Sequence, residues 1–481
     1  NYVFPGSVFV TAPGAKRFVA GLNPGSPKHC GLEIVGGRHL PADWQGNMIT
    51  NDFRAHRVCR FVVTEDGAGY ASRQETELIK SKHGAFRPID VKMGPDGAIY
   101  IADWYNPIIQ HGEVDFRDAR RDHVHGRIWR VSVKKRPLVK QPKLVNATSE
   151  ELLDALQSPE EWIRLHAKLQ LKKQDPMRVR KALDTWLSKR QPDADGYWHD
   201  RLEGLWVLQC LNTIDIDYLV ALVSSPDHRV RAACLRVASQ WLEDSRLQTA
   251  VNAGPGDQEK LKRLLQQGVL DEHPRVRLEA VRAWARIPSA ESAGQALRVL
   301  DQPMDRFLDF ALWQTMRDLR SLWLPGVVSG EIAIDQQIPH WVFAMRAVEA
   351  GEAIPVLMKV IRNNPLDQEQ TEDALSAIAS LGGPAEMGQL LKMATNKETA
   401  ISKARQVEIL GSLVNTSRQR KLRPAGNLAE AATLLNSQND RLRAIGAEAC
   451  GLWKMNSQFG KIVEMAGDAA EVSLVRVAAI Q

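Results

Sequence analysis

The sequence predicts a two-part chain, β first and α afterwards, and three observations carry that reading. Up to residue 135, short runs rich in β-branched and aromatic residues are bounded by glycine and proline turns. From residue 148 onward, apolar residues recur at steps of three and four, as amphipathic helices require. The helical part also repeats a local pattern of turn, apolar residue, arginine and small residue, with neighbouring copies roughly 30–46 residues apart, the range of helix-hairpin repeats. The expected divisions are 1–135, a linker at 136–147, and 148–481.

The β runs are Gly31–Val35, Asn47–Thr50, Val58–Thr64, Ile89–Met93, Ala98–Asp103 and Arg127–Val133. Gly94-Pro95-Asp96-Gly97 separates two of them. It offers proline at the first central turn position and glycine where positive φ is needed, so it predicts a hairpin. Asp66-Gly67 is a weaker turn signal. Lys134, Lys135, Arg136, Lys140 and Lys143 cluster around Pro137 and Pro142 and read as the linker. Thr148 or Ser149 caps the first helix. Pro159, Pro226, Pro274 and Pro303 stand at later helix starts, where a missing N–H costs nothing.

Four copies of the repeat are clearest: Ser158–Ala167, Ser225–Ala233, Glu272–Ala280 and Gln438–Ala447. Their matched arginines are Arg164, Arg231, Arg277 and Arg443, and their matched small residues are Ala167, Ala233, Ala280 and Ala447. Such hairpins bury their apolar faces only against neighbours. The arginines are expected to cap carbonyls or pair with acids of the next copy. The tryptophans of this part, Trp186 and Trp323 among them, fall on apolar helix faces and are expected in the core.

Bulk properties narrow the function classes. A chain of 481 residues implies two or three domains, and 44% apolar with 25% charged residues describes an ordinary globular protein. No run approaches the length of a transmembrane span, so no membrane crossing is expected. The net charge of +6 is uneven: residues 1–145 hold 22 Lys/Arg against 14 Asp/Glu. These charges are scattered among strands and turns, so no nucleic-acid partner is expected. The five cysteines show no Cys-x-x-Cys or haem-attachment spacing. Cys210, Cys234 and Cys450 read as core thiols, while Cys30 and Cys59 could pair in an exported protein. Nucleotide-binding glycine loops, a Walker lysine and a nucleophile elbow are all missing from the sequence.

The densest chemistry lies in residues 103–127. Asp103, Asn106, His111, Glu113, Asp115 and Arg117 follow a strand end, and Asp52 with Arg54 ends another. Carboxylates and imidazoles gathered there could bind a ligand, hold a cation through Asp103, Glu113 and Asp115, or act as acid and base. The same residues also suit a long surface loop tied by Asp–Arg pairs. The sequence leaves both readings open.

Phe86–Asn106, with its Pro-Asp-Gly turn and terminal Asp-Trp, resembles two inner strands of a β-propeller blade. His125–Val131 is similar to a closing strand. In order, Gly31–Val35, Trp44–Asn47, Asn51–Arg54, Phe86–Asp90, Asp103–Pro107, His111–Phe116, His125–Arg130 and Met304–Trp313 resemble the large exported membrane-bound-dehydrogenase proteins of planctomycetes and verrucomicrobia. Those combine a glucose/sorbosone dehydrogenase-like propeller, HEAT repeats and a cytochrome c module. The resemblance implies a β + α multidomain fold: C-terminal blades of a β-propeller, the last two to three, followed by an α-helical HEAT/armadillo-like solenoid. The chain then reads as a fragment of an exported, periplasmic oxidoreductase for a sugar or alcohol. Its solenoid would serve as scaffold toward protein partners or its own cytochrome module. Pyrroloquinoline quinone and calcium are implied for the whole propeller, and haem c for a downstream module outside this chain. The alternative is a non-catalytic scaffold that binds protein or polysaccharide.

Overall fold

The computed structural model describes residues 29–109, 113–243, 256–363, 368–395 and 402–481. Eight strands come first: β1 (His29–Ile34), β2 (Met48–Asp52), β3 (Arg57–Asp66), β4 (Gly69–Gln74), β5 (Ile79–Lys80), β6 (Pro88–Met93), β7 (Ile99–Asp103) and β8 (Arg127–Val131). They form two antiparallel sheets. One runs β1-β2-β3-β4, with β5 joining the start of β3; the other runs β6-β7-β8. Each hairpin has a local cause. Gly97 adopts φ 77° in the β6–β7 turn, where Asp96 Oδ1 accepts the Ala98 N–H at 3.1 Å. Gly67 adopts φ 57° between β3 and β4. Val35, Ile49, Val58, Phe86, Val91, Ile99 and Ile101 form one core between the sheets.

The propeller expectation is overturned. A propeller closes a ring of four-stranded blades, but both sheets here are small and open. The second has three strands among the described residues, and residues 104–109 and 113–126, where a fourth would come, hold none.

The helices follow: α1 (Ser149–Asp154), α2 (Glu161–Leu171), α3 (Pro176–Ser188), α4 (Tyr197–Cys210), α5 (Ile216–Leu222), α6 (His228–Glu243), α7 (Asp257–Gly268), α8 (Pro274–Trp284), α9 (Ala290–Leu297), α10 (Arg306–Asp318), α11 (Arg320–Ser329), α12 (Ile338–Val348), α13 (Ile354–Asn363), α14 (Gln368–Leu381), α15 (Pro384–Thr395), α16 (Lys403–Arg420), α17 (Ala429–Ala432), α18 (Asp440–Leu452), α19 (Phe459–Gly467) and α20 (Ser473–Ile480). Thr148 is the cap of α1, and Glu151 completes a reciprocal capping box.

The chain divides into two compact units, Asn1–Ala283 with Met304–Phe310, and Trp284–Pro303 with Ala311–Gln481. In the first, α1 packs on α3 and α2 on α4 around Leu152, Leu153, Leu171 and Leu183. The sheets are tied to these helices within the same unit. Ala68 N donates to Asp305 Oδ2 at 2.6 Å, Phe307 lies under Gly69, and Arg38 N donates to the Glu160 carboxylate at 3.2 Å. In the second unit, α12 packs on α14, α14 on α16, α16 on α18 and α18 on α20.

This region is α-helical, but a HEAT or armadillo solenoid is not established by it. Helices range from four residues in α17 to 18 in α16, and 3-10 turns such as Ala155–Gln157 and Thr433–Asn436 interrupt the pairs. Among the described residues, no helix is long and apolar enough to cross a membrane.

The repeat arginines share one role. Each donates from Nη1 to the carbonyl six residues earlier: Arg164 to Ser158, Arg231 to Ser225, Arg277 to Asp271, and Arg443 to Ser437. Three also reach an acid further along the chain, Arg164 to Glu203, Arg231 to Asp271 and Arg443 to Glu471.

Candidate functional site

The segments Trp104–Ile109 and Glu113–Gly126, which bracket the loop, are held by two buried arginines. Arg87 donates Nε to Asn106 O at 2.9 Å, Nη2 to Pro107 O at 3.0 Å, and Nη1 to Phe53 O at 2.9 Å. Burial pulls its pKa down from the ordinary arginine value, and the Asp103 carboxylate opposes that fall. Arg121 donates Nε to Asp115 O at 3.0 Å and Nη2 to Val114 O at 2.9 Å. A guanidinium carries five donors in a fixed fork, so one side chain can satisfy several carbonyls of an irregular segment.

The polar side chains singled out in the sequence fall into two groups. Asp103, Asn106 and Asp52 point inward. Asp103 Oδ1 accepts from Arg87 N at 2.7 Å and Tyr105 N at 3.0 Å, and its Oδ2 accepts from Trp129 Nε1 at 3.0 Å. Asn106 Oδ1 accepts from Ile108 N, and its Nδ2 donates to Asp122 O. Asp52 accepts from Ala55 N at 3.1 Å and Arg57 Nε at 3.0 Å. Glu113, Asp115, Arg117 and Arg54 are exposed. Asp115 Oδ1 accepts from Arg117 N at 2.7 Å, and Arg54 offers its carbonyl to Arg87 at 3.3 Å. His111 lies outside the described residues. Farther along, two backbone N–H groups, of Val124 and His125, and then the His125 ring hold Asp122 down at about 2.

The inward carboxylates therefore build the loop, and the loop presents something else. Val124 is 85% exposed, Ile128 77%, Phe116 67% and Trp129 41%. Beside them Arg127 lies 3.7 Å over the Tyr105 ring, and His83 stacks on the same ring with centroids 5.7 Å apart. Tyr105 holds φ 54°, a left-handed conformation, with its N–H fixed on Asp103. Strand β8 pairs with β7 from Arg127 opposite Asp103 to Val131 opposite Ile99, and among the described residues it has no strand on its other side. An open strand edge beside exposed apolar side chains is suited to receiving another chain.

Val124, Ile128 and Trp129 are not among the polar residues the sequence singles out as a site, although Ile128 and Trp129 fall on the expected strand Arg127–Val133. The signal was present in the two apolar residues of Arg127-Ile128-Trp129-Arg130 at what becomes an edge. Among the described residues, the ligand-type side chains that converge as a group of three are not in this loop; they are Glu65, His228 and His273.

A family described as a domain of unknown function (DUF7133) matches residues 17–135, the stretch that carries both sheets and this loop. No curated protein matches the chain. The resemblance to exported propeller, HEAT and cytochrome c dehydrogenases is thereby overturned, since the matched family carries no stated function. The oxidoreductase reading falls with it. It rested on a closed propeller, and the sheets are open. The described residues show neither a closed propeller nor a cytochrome module, so nothing in them supports the cytochrome-associated dehydrogenase description.

Proposed function

We propose that this chain is a non-catalytic binding scaffold, and that the face made by β8 and the loop before it receives a segment of another protein. The observation that carries this reading is the edge of β8, unpaired among the described residues, with Ile128 on the strand and Val124 and Phe116 in the segment before it, each at least 67% exposed. A partner strand would take up the free backbone groups of β8 by edge addition, and its side chains would cover the apolar ones. Full burial of a side chain such as Ile128 contributes about 1.5–3 kcal/mol. Glu113, Asp115, Arg117 and Arg54 then form a polar rim, while Asp103, Asn106 and Asp52 hold the face in shape.

A protein fits better than a polysaccharide. Sugar-binding sites favour flat aromatic platforms, and here the Trp129 indole is tied to Asp103 while the most exposed groups are aliphatic. An exported, periplasmic setting belongs to this proposal, and fractionation of the source cells checks it.

The test is a charge placed on the face. Ile128→Asp and Phe116→Asp should leave the melting curve nearly unchanged, because exposed substitutions cost within about 0.5 kcal/mol. The same changes should weaken capture of the protein partner by more than about tenfold, roughly 1.4 kcal/mol. Undiminished capture by both variants contradicts the proposal.

A further inference from the structure

Glu65 stands near the end of β3, His228 is the first residue of α6, and His273 immediately precedes α8. One ligand atom from each lies within 4.8 Å of the others. His228 Nε2 is 3.1 Å from Glu65 Oε1, and the two imidazoles stack with centroids 3.6 Å apart at 12°. The repeat explains how residues so far apart in sequence meet. His228 comes three residues before Arg231 and His273 four before Arg277, so successive copies of one motif present their histidines side by side. Both rings are partly buried, whereas Glu65 is exposed.

We propose that Glu65, His228 and His273 bind one divalent transition-metal ion of the zinc class, pinning the end of β3 to the starts of α6 and α8. Two imidazole nitrogens and one carboxylate oxygen are the ligand set such borderline ions take, with solvent completing the shell. Magnesium and calcium prefer oxygen alone and are poorly served by it.

The surroundings tolerate the added charge. Asp227 and Asp271 lie close by, and the neighbouring cations have acid partners: Arg229 with Asp227, Arg231 with Asp271 and Glu272, Arg275 with Glu279.

Two adjustments accompany binding. The rings must fan out of their parallel stack so that each lone pair meets the ion. His273 Nδ1 accepts the Arg275 N–H at 3.2 Å, which leaves Nε2 for the metal. A metal on Nε2 shifts the ring proton to Nδ1 and gives up that bond, so the first turn of α8 should loosen.

The test uses the tag-free full chain. Zinc should bind with one equivalent by calorimetry and raise the melting temperature with the logarithm of one plus its concentration over its dissociation constant. Copper(II) bound in its place should show two imidazole nitrogens by pulsed electron paramagnetic resonance. Glu65→Gln, an exposed change expected to fold normally, should weaken zinc at least about tenfold, and His228→Asn more; both should remain folded by circular dichroism. Magnesium should leave the melting temperature unchanged. Absence of stoichiometric zinc binding overturns the site and leaves a stacked pair of imidazoles. So does binding that survives unchanged in both variants, or a copper spectrum without imidazole nitrogens.

Discussion

Asp103 illustrates how an acid in a polar loop can be structural. Three donors converge on its carboxylate, two of them backbone N–H groups at the strand end, so the side chain is committed to shaping the turn. Asp103→Ala strands those donors under a buried surface. It should destabilise the first unit by about 2–4 kcal/mol, read as a lower denaturant midpoint at unchanged slope. The sequence announced this density of polar groups, but not which way they point. Direction depends on Arg87, sixteen residues earlier, which draws the carbonyls of two separate loops onto one guanidinium.

His340 supplies a pH prediction at the same scale. It is buried in the second unit with Nε2 2.9 Å from Asp301 Oδ1, and burial lowers its pKa from 6.5 despite the opposing pull of that acid. The unfolded chain therefore binds more protons than the folded one as pH falls through 6.5, and the contribution of this histidine is lost on acidification. Stability should fall from about pH 6.5 downward. His340→Gln should flatten that part of the profile in a pH series of urea melts.

At the scale of elements, the repeat was legible because an arginine recurs with a small residue two to four positions after it. The structure supplies the reason for the arginine: a bond to the carbonyl six residues before it in all four copies, with an acid farther along in three. It also corrects the small position. Ala167, Cys234, Ala280 and Gly446 each stand three residues after the arginine and are buried, whereas Ala233 is only partly buried. The helical register, which sequence alignment left free by one residue, makes that choice. A Cβ on Gly446 would lie 2.8 Å from Leu434 Cβ.

Overpacking should therefore be felt at Ala280 more than at Ala233. Ala280→Leu should cost about 1–3 kcal/mol, and Ala233→Leu less, as measured by thermal melts. Equal costs would contradict the corrected register. Strands were legible where a turn signal flanked them, as around Gly94–Gly97. Strands β4 and β5 were missed: β4, Gly69–Gln74, lacks an apolar run, and β5 is only two residues long.

At the scale of the whole molecule, the charge excess of residues 1–145 acquires a physical meaning. Arg87, Arg121 and Arg136 all donate to backbone carbonyls, Arg136 to Leu40 O at 2.7 Å, so part of the basic surplus holds irregular chain together. Closure of a propeller was the one expectation that no local signal could decide. Whether strands curl into a ring depends on pairing between distant segments, and the described residues before β8, 104–109 and 113–126, form no strand. Among the described residues β8 therefore has one unpaired edge, on which the binding proposal depends.

The most direct measurement is site-specific photo-crosslinking in the source cells, with a photoreactive amino acid placed in turn at Phe116, Val124, Ile128 and, as a control on the exposed side of α1, Glu150. The account predicts one discrete protein adduct from the three positions on the β8 face and none from Glu150. No adduct at any of the three, or the same adducts from Glu150, would contradict it.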